Sequence, residues 1–237
     1  MYISKVEFDP KKLAVEIEKR ARSGQRINGS YEAHQYLWWL FDNRPDQERD
    51  FLYRRMKPPR DSNRNAPHFL VVSEREPEDR PYLRRLVVKP YAPQLACGER
   101  LLFSLRCNPV ITRQNAITRR HHQVDMVQDA RLRLKREGVP EAEMPRRTEL
   151  AQNVAPEWLA RHDFGLDVDT ASIQVEAYDQ LRFDHPKGGK ITLARLDLLG
   201  AGTVRDPEAL RHALYKGVGR ARGFGFGLLL VRRLNAT

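Results

Sequence analysis

The stretch KITLARLDLLGAGTVRDPEALRHALYKGVGRARGFGFGLLLVRRL, residues 190–234, predicts a strand, a helix, a glycine-rich segment and a closing strand. An Asp-Pro pair precedes the helix at 206–216 and a glycine follows it, as helix start and stop signals do. Upstream, residues 148–162 have the spacing of a helix and residues 173–183 that of a strand. Helix, strand, strand, helix and strand make up most of a ferredoxin-like unit.

The N-terminal half begins with the same kinds of element. Apolar and charged residues alternate over 2–8, which predicts a half-buried strand, and helical spacing follows over 10–22 and 30–41. Three strand-like runs then occur at residues 69–73, 86–88 and 101–107. We therefore expect an α+β protein built from two tandem ferredoxin-like (βαββαβ, RRM-like) domains with antiparallel sheets, the duplication being inferred from element order alone.

The segment 109–147 is rich in Lys and Arg and poor in apolar residues. This composition predicts a basic, partly helical connector. The expected organisation is an N-terminal domain at 1–108, the connector at 109–147 and a C-terminal domain at 148–237.

The charge balance indicates the class of partner. The chain has 42 Lys and Arg against 31 Asp and Glu, a formal net charge of +11. Such a protein attracts polyanions, so nucleic acid is the expected partner class, although a basic surface can also serve solubility alone. Two cysteines, Cys97 and Cys107, lack metal-site spacing, and no apolar run is long enough to cross a membrane. We expect a cytoplasmic protein with no metal and no small-molecule cofactor.

The glycine-rich segment GVGRARGFGFG, residues 217–227, has three interpretations. A dinucleotide fingerprint or a P-loop is excluded because the helix precedes the glycines instead of following them. The string from Arg222 to Phe226 also matches the start of an RNP1 motif, but too few residues follow it. A simple turn remains open. Arg220 and Arg222 favour a sugar-phosphate contact, since arginine donors and bare backbone N–H groups both bind phosphate. The predicted RNA-binding residues are Arg222, Arg220, Gly219, Gly223, Gly225, Arg119 and Arg120.

His34 is the candidate general acid or base. Its imidazole exchanges protons near neutral pH, and Tyr31 lies one helical turn earlier on the same stripe. Without further context, a histidine at this spacing on an amphipathic helix more often serves packing than catalysis.

Several segments together resemble the CasE family of subtype I-E CRISPR endoribonucleases. They are MYISKV at the start, the run from Tyr31 to His34 followed by LWWLFDNRPDQERDFLYR, the strand end LRCNP, and the terminal GVGRARGFGFGLL. The resemblance spans nearly the whole chain and implies a tandem ferredoxin-like fold.

The resemblance also implies an activity and its residues. A member of this family would bind a CRISPR repeat hairpin in precursor crRNA, cut on the 3′ side of its base to leave a 2′,3′-cyclic phosphate, and remain in Cascade with the other subunits. His34 would be catalytic with Tyr31 assisting, and Arg222 would be the basic residue of the glycine-rich loop. Two alternatives stay open: a non-catalytic RNA-binding subunit of the same kind of complex, and a generic recognition-motif protein that binds single strands.

Overall fold

Two four-stranded antiparallel sheets, each with helices packed on it, form the described part of the chain. The computed structural model describes residues 1–24, 32–41, 48–58, 66–114, 119–184 and 190–234. The first unit consists of β1 (Tyr2–Phe8), α1 (Pro10–Arg22), α2 (Glu32–Trp38), β2 (Phe51–Met56), β3 (His68–Ser73) and β4 (Leu83–Pro90). Its strand order is β2-β3-β1-β4, which is the ferredoxin-like order, and the chain crosses from β3 to β4 through residues 74–82 without a helix.

The second unit has the same strand order with an inserted hairpin. Its sheet runs β10-β5-β9-β8, and β6 pairs only with β7. The elements are β5 (Arg100–Cys107), β6 (Val110–Gln114), β7 (His121–Asp125), α3 (Met126–Arg136), α4 (Arg147–Ala160), β8 (Leu166–Asp184), β9 (Lys190–Val204), α5 (Pro207–Lys216) and β10 (Leu229–Arg233). The predicted α+β class with tandem ferredoxin-like domains is confirmed.

Helix starts follow from local chemistry. The Asp9 carboxylate accepts hydrogen bonds from the backbone N–H groups of Lys11 and Lys12 at the start of α1. Asp206 caps α5 in the same way, with a proline at the first helical position of both helices. An aspartate cap followed by proline satisfies free N–H groups and fixes φ, so the sequence signals were reliable at both starts.

The predicted domain boundary at residue 108 follows β5, a strand that lies in the second sheet. Strand β5 pairs with β9 and β10 and is the first strand of the second sheet. Alternate residues Leu101, Phe103 and Leu105 are buried in the core of that unit. The sequence of a strand determines which of its faces is buried, but not which sheet the strand joins. Closeness along the sequence to the strands before it does not decide the sheet either.

The segment predicted as a connector, residues 109–147, contains regular secondary structure. Its residues form the β6–β7 hairpin, α3 and the start of α4. Met126 and Val127 at the start of α3 are buried in the core of the second unit. Ala130 and Leu134 of the same helix pack against that core as well, so α3 belongs to the second unit.

Strand β2 connects the two units. Phe51 and Tyr53 face the core beneath α2, whereas Leu52 on the opposite side packs against Leu228 of the second unit. Arg54 is also buried, and its guanidinium donates to Ser104 Oγ at 2.8 Å and to the Leu228 carbonyl oxygen at 2.7 Å. Burial lowers the pKa of Arg54 to about 10, which leaves it charged at neutral pH. The strand that supports α2 is thereby fixed to the strand that follows the glycine-rich segment.

Candidate active site

His34 lies on α2, half-buried at the surface of the first unit. Its Nε2 accepts a hydrogen bond from Trp38 Nε1 at 2.8 Å, and its ring lies 6.0 Å from that of Phe51 and 6.4 Å from that of Tyr53, centroid to centroid. Burial, and then the charge of Arg49, lower the pKa of His34 to about 4. The imidazole is therefore neutral at pH 7, and with Nε2 accepting, its hydrogen lies on Nδ1.

Tyr53 links this histidine to the glycine-rich segment. The Tyr53 side chain is only 3% exposed, and its hydroxyl donates to the Gly223 carbonyl oxygen at 2.9 Å. At Gly225, which has a φ of +84°, an added Cβ would lie 3.0 Å from Tyr53 Cε2. Glycine is required there both for the backbone conformation and for the approach of the tyrosine ring. The face of α2 and the glycine-rich segment thus meet at one edge of the molecule.

Helix α4 of the second unit packs against the glycine-rich segment. Gly219 has a φ of +78°, and an added Cβ would lie 2.9 Å from Trp158 Cζ2 of α4. The segment closes on itself through a hydrogen bond from Val218 N to the Gly227 carbonyl oxygen at 2.9 Å. The segment therefore forms a tight turn between a helix and a strand. Its two arginines, Arg220 and Arg222, differ in the contacts that they make.

Arg222 braces the segment from within. Its Nε donates to the Gly219 carbonyl oxygen at 3.0 Å and its Nη1 to the Lys216 carbonyl oxygen at 2.7 Å. Arg220 is exposed and forms no hydrogen bond or ion pair with any described residue. Arg220 is thus the arginine whose donors are available to a ligand.

A cleft of about 490 Å³ opens beside this segment. It brings together three of the predicted residues, Gly219, Arg220 and Arg222, with residues that the sequence did not single out. His34 is not among its lining residues but shares a neighbour with it, because Arg49 both lines the cleft and lowers the pKa of His34. The described residues that line the cleft are Arg49, Asn108, Gln123, Leu193, Gly219, Arg220, Ala221, Arg222 and Phe224.

Two further predicted residues lie on the β6–β7 hairpin. Arg119 and Arg120 are exposed immediately before β7, and the Arg119 carbonyl oxygen accepts from Gln114 Nε2 at 3.0 Å. The same hairpin contributes Gln123 to the cleft. Tyr31 lies outside the described residues.

Sequence reasoning missed Arg49, Asn108 and Tyr53. Arg49 and Tyr53 lie within the stretch LWWLFDNRPDQERDFLYR, and Asn108 lies within LRCNP, so all three belong to segments that carried the family resemblance. Within the ranges described above, no group of three or more His, Cys, Asp and Glu side chains is placed to hold a metal ion. No helix in those ranges is both long and apolar enough to cross a membrane.

Comparison with known proteins agrees with the fold and the resemblance. The model of the CRISPR associated protein family matches residues 1–233. The CRISPR system Cascade subunit CasE of Escherichia coli K12 is 31% identical over 204 residues, 84% of this chain and 89% of that protein.

Two solved structures share the fold. CRISPR endoribonuclease Cse3 bound to a 19-nucleotide RNA superposes with a TM-score of 0.63 at 23% identity, covering 98% of this chain and 100% of that one. Cas6e from Escherichia coli K-12 gives a TM-score of 0.60 at 23% identity over 99% of this chain and 100% of that chain. The resemblance found in the sequence is confirmed, and the chain belongs to the CRISPR associated protein family.

Proposed function

We propose that this protein is a metal-independent endoribonuclease that cuts CRISPR repeat hairpins in precursor crRNA and stays bound to the product in Cascade. Its relative in Escherichia coli is a Cascade subunit, and Cse3, which shares the fold, is a CRISPR endoribonuclease with bound RNA. The observation that carries the proposal is the position of His34, half-buried and linked through Tyr53 to the glycine-rich segment.

The proposed reaction is attack by the RNA's own 2′-hydroxyl. The 2′ oxygen bonds to phosphorus, the bond from phosphorus to the 5′ oxygen breaks, and the products carry a 2′,3′-cyclic phosphate and a 5′-hydroxyl. A base must remove the 2′ proton, and neutral His34 suits that role because its pKa of about 4 keeps it unprotonated at pH 7. Tyr31 is the proposed donor of a proton to the departing 5′ oxygen.

Arginine donors would stabilise the negative charge on the phosphate as it becomes crowded. Arg220 and Arg49 line the cleft, and fixed positive groups directed at developing charge are a large source of rate acceleration. Arg222 contributes by holding the loop, and its remaining donors could also reach phosphate. The exposed Arg119 and Arg120 would contact the backbone of the hairpin stem.

A second candidate function is a non-catalytic RNA-binding subunit. The hydrogen bond from Trp38 to His34 Nε2 favours this alternative, since it occupies the ring nitrogen that would accept a proton. In that case the same basic cleft would hold RNA without cutting it.

One experiment separates these functions. The protein is mixed with a repeat hairpin in EDTA, and the 3′ end of any product is analysed. We expect a 2′,3′-cyclic phosphate, and His34→Ala should slow cleavage by ~10²–10⁴-fold at unchanged affinity for RNA. Cleavage by His34→Ala at the unaltered rate would remove the histidine from the mechanism, and an unaltered protein that binds without cutting would favour the second function.

We also propose a cytoplasmic location, with crRNA and the other Cascade subunits as partners. Cys97, which is exposed, and Cys107, which is buried, are both free thiols. An exposed free thiol is typical of a reducing compartment.

A further inference from the structure

We propose that the cleft beside the glycine-rich segment holds one unpaired nucleotide next to the cut phosphate, and that Asn108 reads its base. This inference rests on the proposed function and deepens it, because it names the residues that would choose where the RNA is cut.

Asn108 provides the first argument. It follows β5 directly, is only 3% exposed and lines the cleft. Its backbone carbonyl oxygen accepts from Val110 N at 2.8 Å, but its side-chain Oδ1 has no hydrogen-bond partner among the residues that the structure describes. Buried side-chain amides are nearly always hydrogen-bonded, so an unpaired amide oxygen on a residue that lines a cleft indicates a ligand with matching polar groups.

The chemistry of the other walls indicates what that ligand is. Gln123 on β7 presents a second side-chain amide, exposed and without a hydrogen bond to any described residue. Phe224 and Leu193 supply aromatic and apolar surface, and Arg220 supplies positive charge. Unpaired RNA bases are recognised by this combination: the ring stacks on an aromatic side chain, amides bond its edge and arginine holds the phosphate.

The burial of Asn108 excludes a paired base. A base in a helical stem is stacked and has its Watson–Crick edge occupied, so it could not enter a site whose reading group is 3% exposed. The cleft volume of about 490 Å³ is within the ~300–1,000 Å³ that small-molecule sites have. A single base turned out of the chain fits these limits.

The cleft is also placed to act on the reaction. Arg49 lines it and lowers the pKa of His34, and the adjacent Gly223 accepts the Tyr53 hydroxyl. A base held by Asn108 would therefore fix the neighbouring phosphate beside His34. Asn108 and Gln123 are assigned to specificity, with no part in proton transfer.

The test compares protein variants with RNA variants. A repeat hairpin with a 2′-deoxy nucleotide at the cut site, which cannot be cleaved, is made with an abasic site at each unpaired position in turn, and its Kd is measured. At one position we expect the loss of the base to weaken binding by roughly 5- to 100-fold, the value of one good amide–base contact. Asn108→Ala should lose the same factor with the intact RNA and lose nothing further with that abasic RNA.

Gln123→Ala should behave in the same way at the same position, and Gln174→Ala is the matched control, since Gln174 is equally exposed on β8 in the same unit. Thermal unfolding checks each variant, and if Asn108→Ala does not fold, the abasic series with the unaltered protein and with Gln123→Ala decides. The inference would be overturned if Asn108→Ala weakened the binding of every RNA by the same factor. It would also be overturned if the unaltered protein bound every abasic RNA as tightly as the intact RNA. A protein that cuts the hairpin without such coupling refutes only this inference, whereas one that neither binds nor cuts it refutes the proposed function as well.

Discussion

At the scale of single residues, the environment of His34 determines its protonation state. The ring is half-buried among Trp38, Phe51 and Tyr53, and the nearby Arg49 adds a positive charge. Both effects disfavour the imidazolium ion, and both therefore lower the pKa. The His34 imidazole is therefore already in its neutral, basic form at pH 7 in this conformation of the protein.

The pH dependence of cleavage follows from this pKa. A base whose pKa is about 4 is unprotonated above that value, so kcat/KM should be level through neutral pH and fall about tenfold per unit only below pH 4. Single-turnover cleavage measured from roughly pH 3.5 to 8 would check this, with RNA binding followed at each pH. A rate that declines as pH rises through this range, and only when His34 is present, would instead make the imidazole a proton donor.

At the scale of elements, the glycine-rich segment depends on glycine at particular positions. Gly225 and Gly98 have nearly equal positive φ values, +84° and +82°. An added Cβ would meet Tyr53 at 3.0 Å at the first position and nothing within 4 Å at the second. The two sites share a backbone requirement, but Gly225 is buried against Tyr53 whereas Gly98 is exposed.

Alanine substitution at these two glycines separates the two effects. Gly98→Ala should cost ~1–2 kcal/mol of unfolding free energy, the value for a non-glycine residue in the left-handed region. Gly225→Ala should cost more and should also weaken RNA binding, because Tyr53 must move and lose its bond to Gly223. Denaturant unfolding and hairpin binding provide the measurements. Equal unfolding losses with unchanged binding in both variants would contradict the role assigned to Tyr53.

Elements could be predicted from the sequence where local chemistry decides them. The aspartate caps and prolines set the starts of α1 and α5, and alternation set β1. Strand β2 was missed because Phe51 and Leu52 are buried against different units, which removes the alternation that marks a strand. The sheet that β5 joins could not be predicted, because pairing between distant strands leaves no local signal.

The same limit applies to the site. His34 and the glycine-rich segment could be found because residue type alone suggests proton transfer and phosphate binding. Asn108 and Arg49 could not, since an ordinary amide and an ordinary arginine become informative only when folding brings them to one cleft.

At the scale of the whole molecule, the net charge of +11 predicts binding that weakens with salt. Arg220→Ala should reduce the slope of log K against log salt concentration by ~0.7–0.9, the value for one lost phosphate contact. Arg85, exposed on β4 at the far edge of the first sheet, is the matched control, and Arg85→Ala should leave the slope unchanged. Hairpin binding over a salt series checks both. Equal slopes for the two variants would mean that Arg220 does not contact phosphate.

The pairing of Leu229 with Leu105 joins the last described strand to one near the middle of the chain. During synthesis, β5 must therefore wait with an open edge until residues 229–233 leave the ribosome. Contacts so distant along the chain slow folding, and an open edge can recruit strands from other molecules in the meantime. The glycine-rich segment directly precedes β10 in the chain, so it is made after nearly all of the other elements.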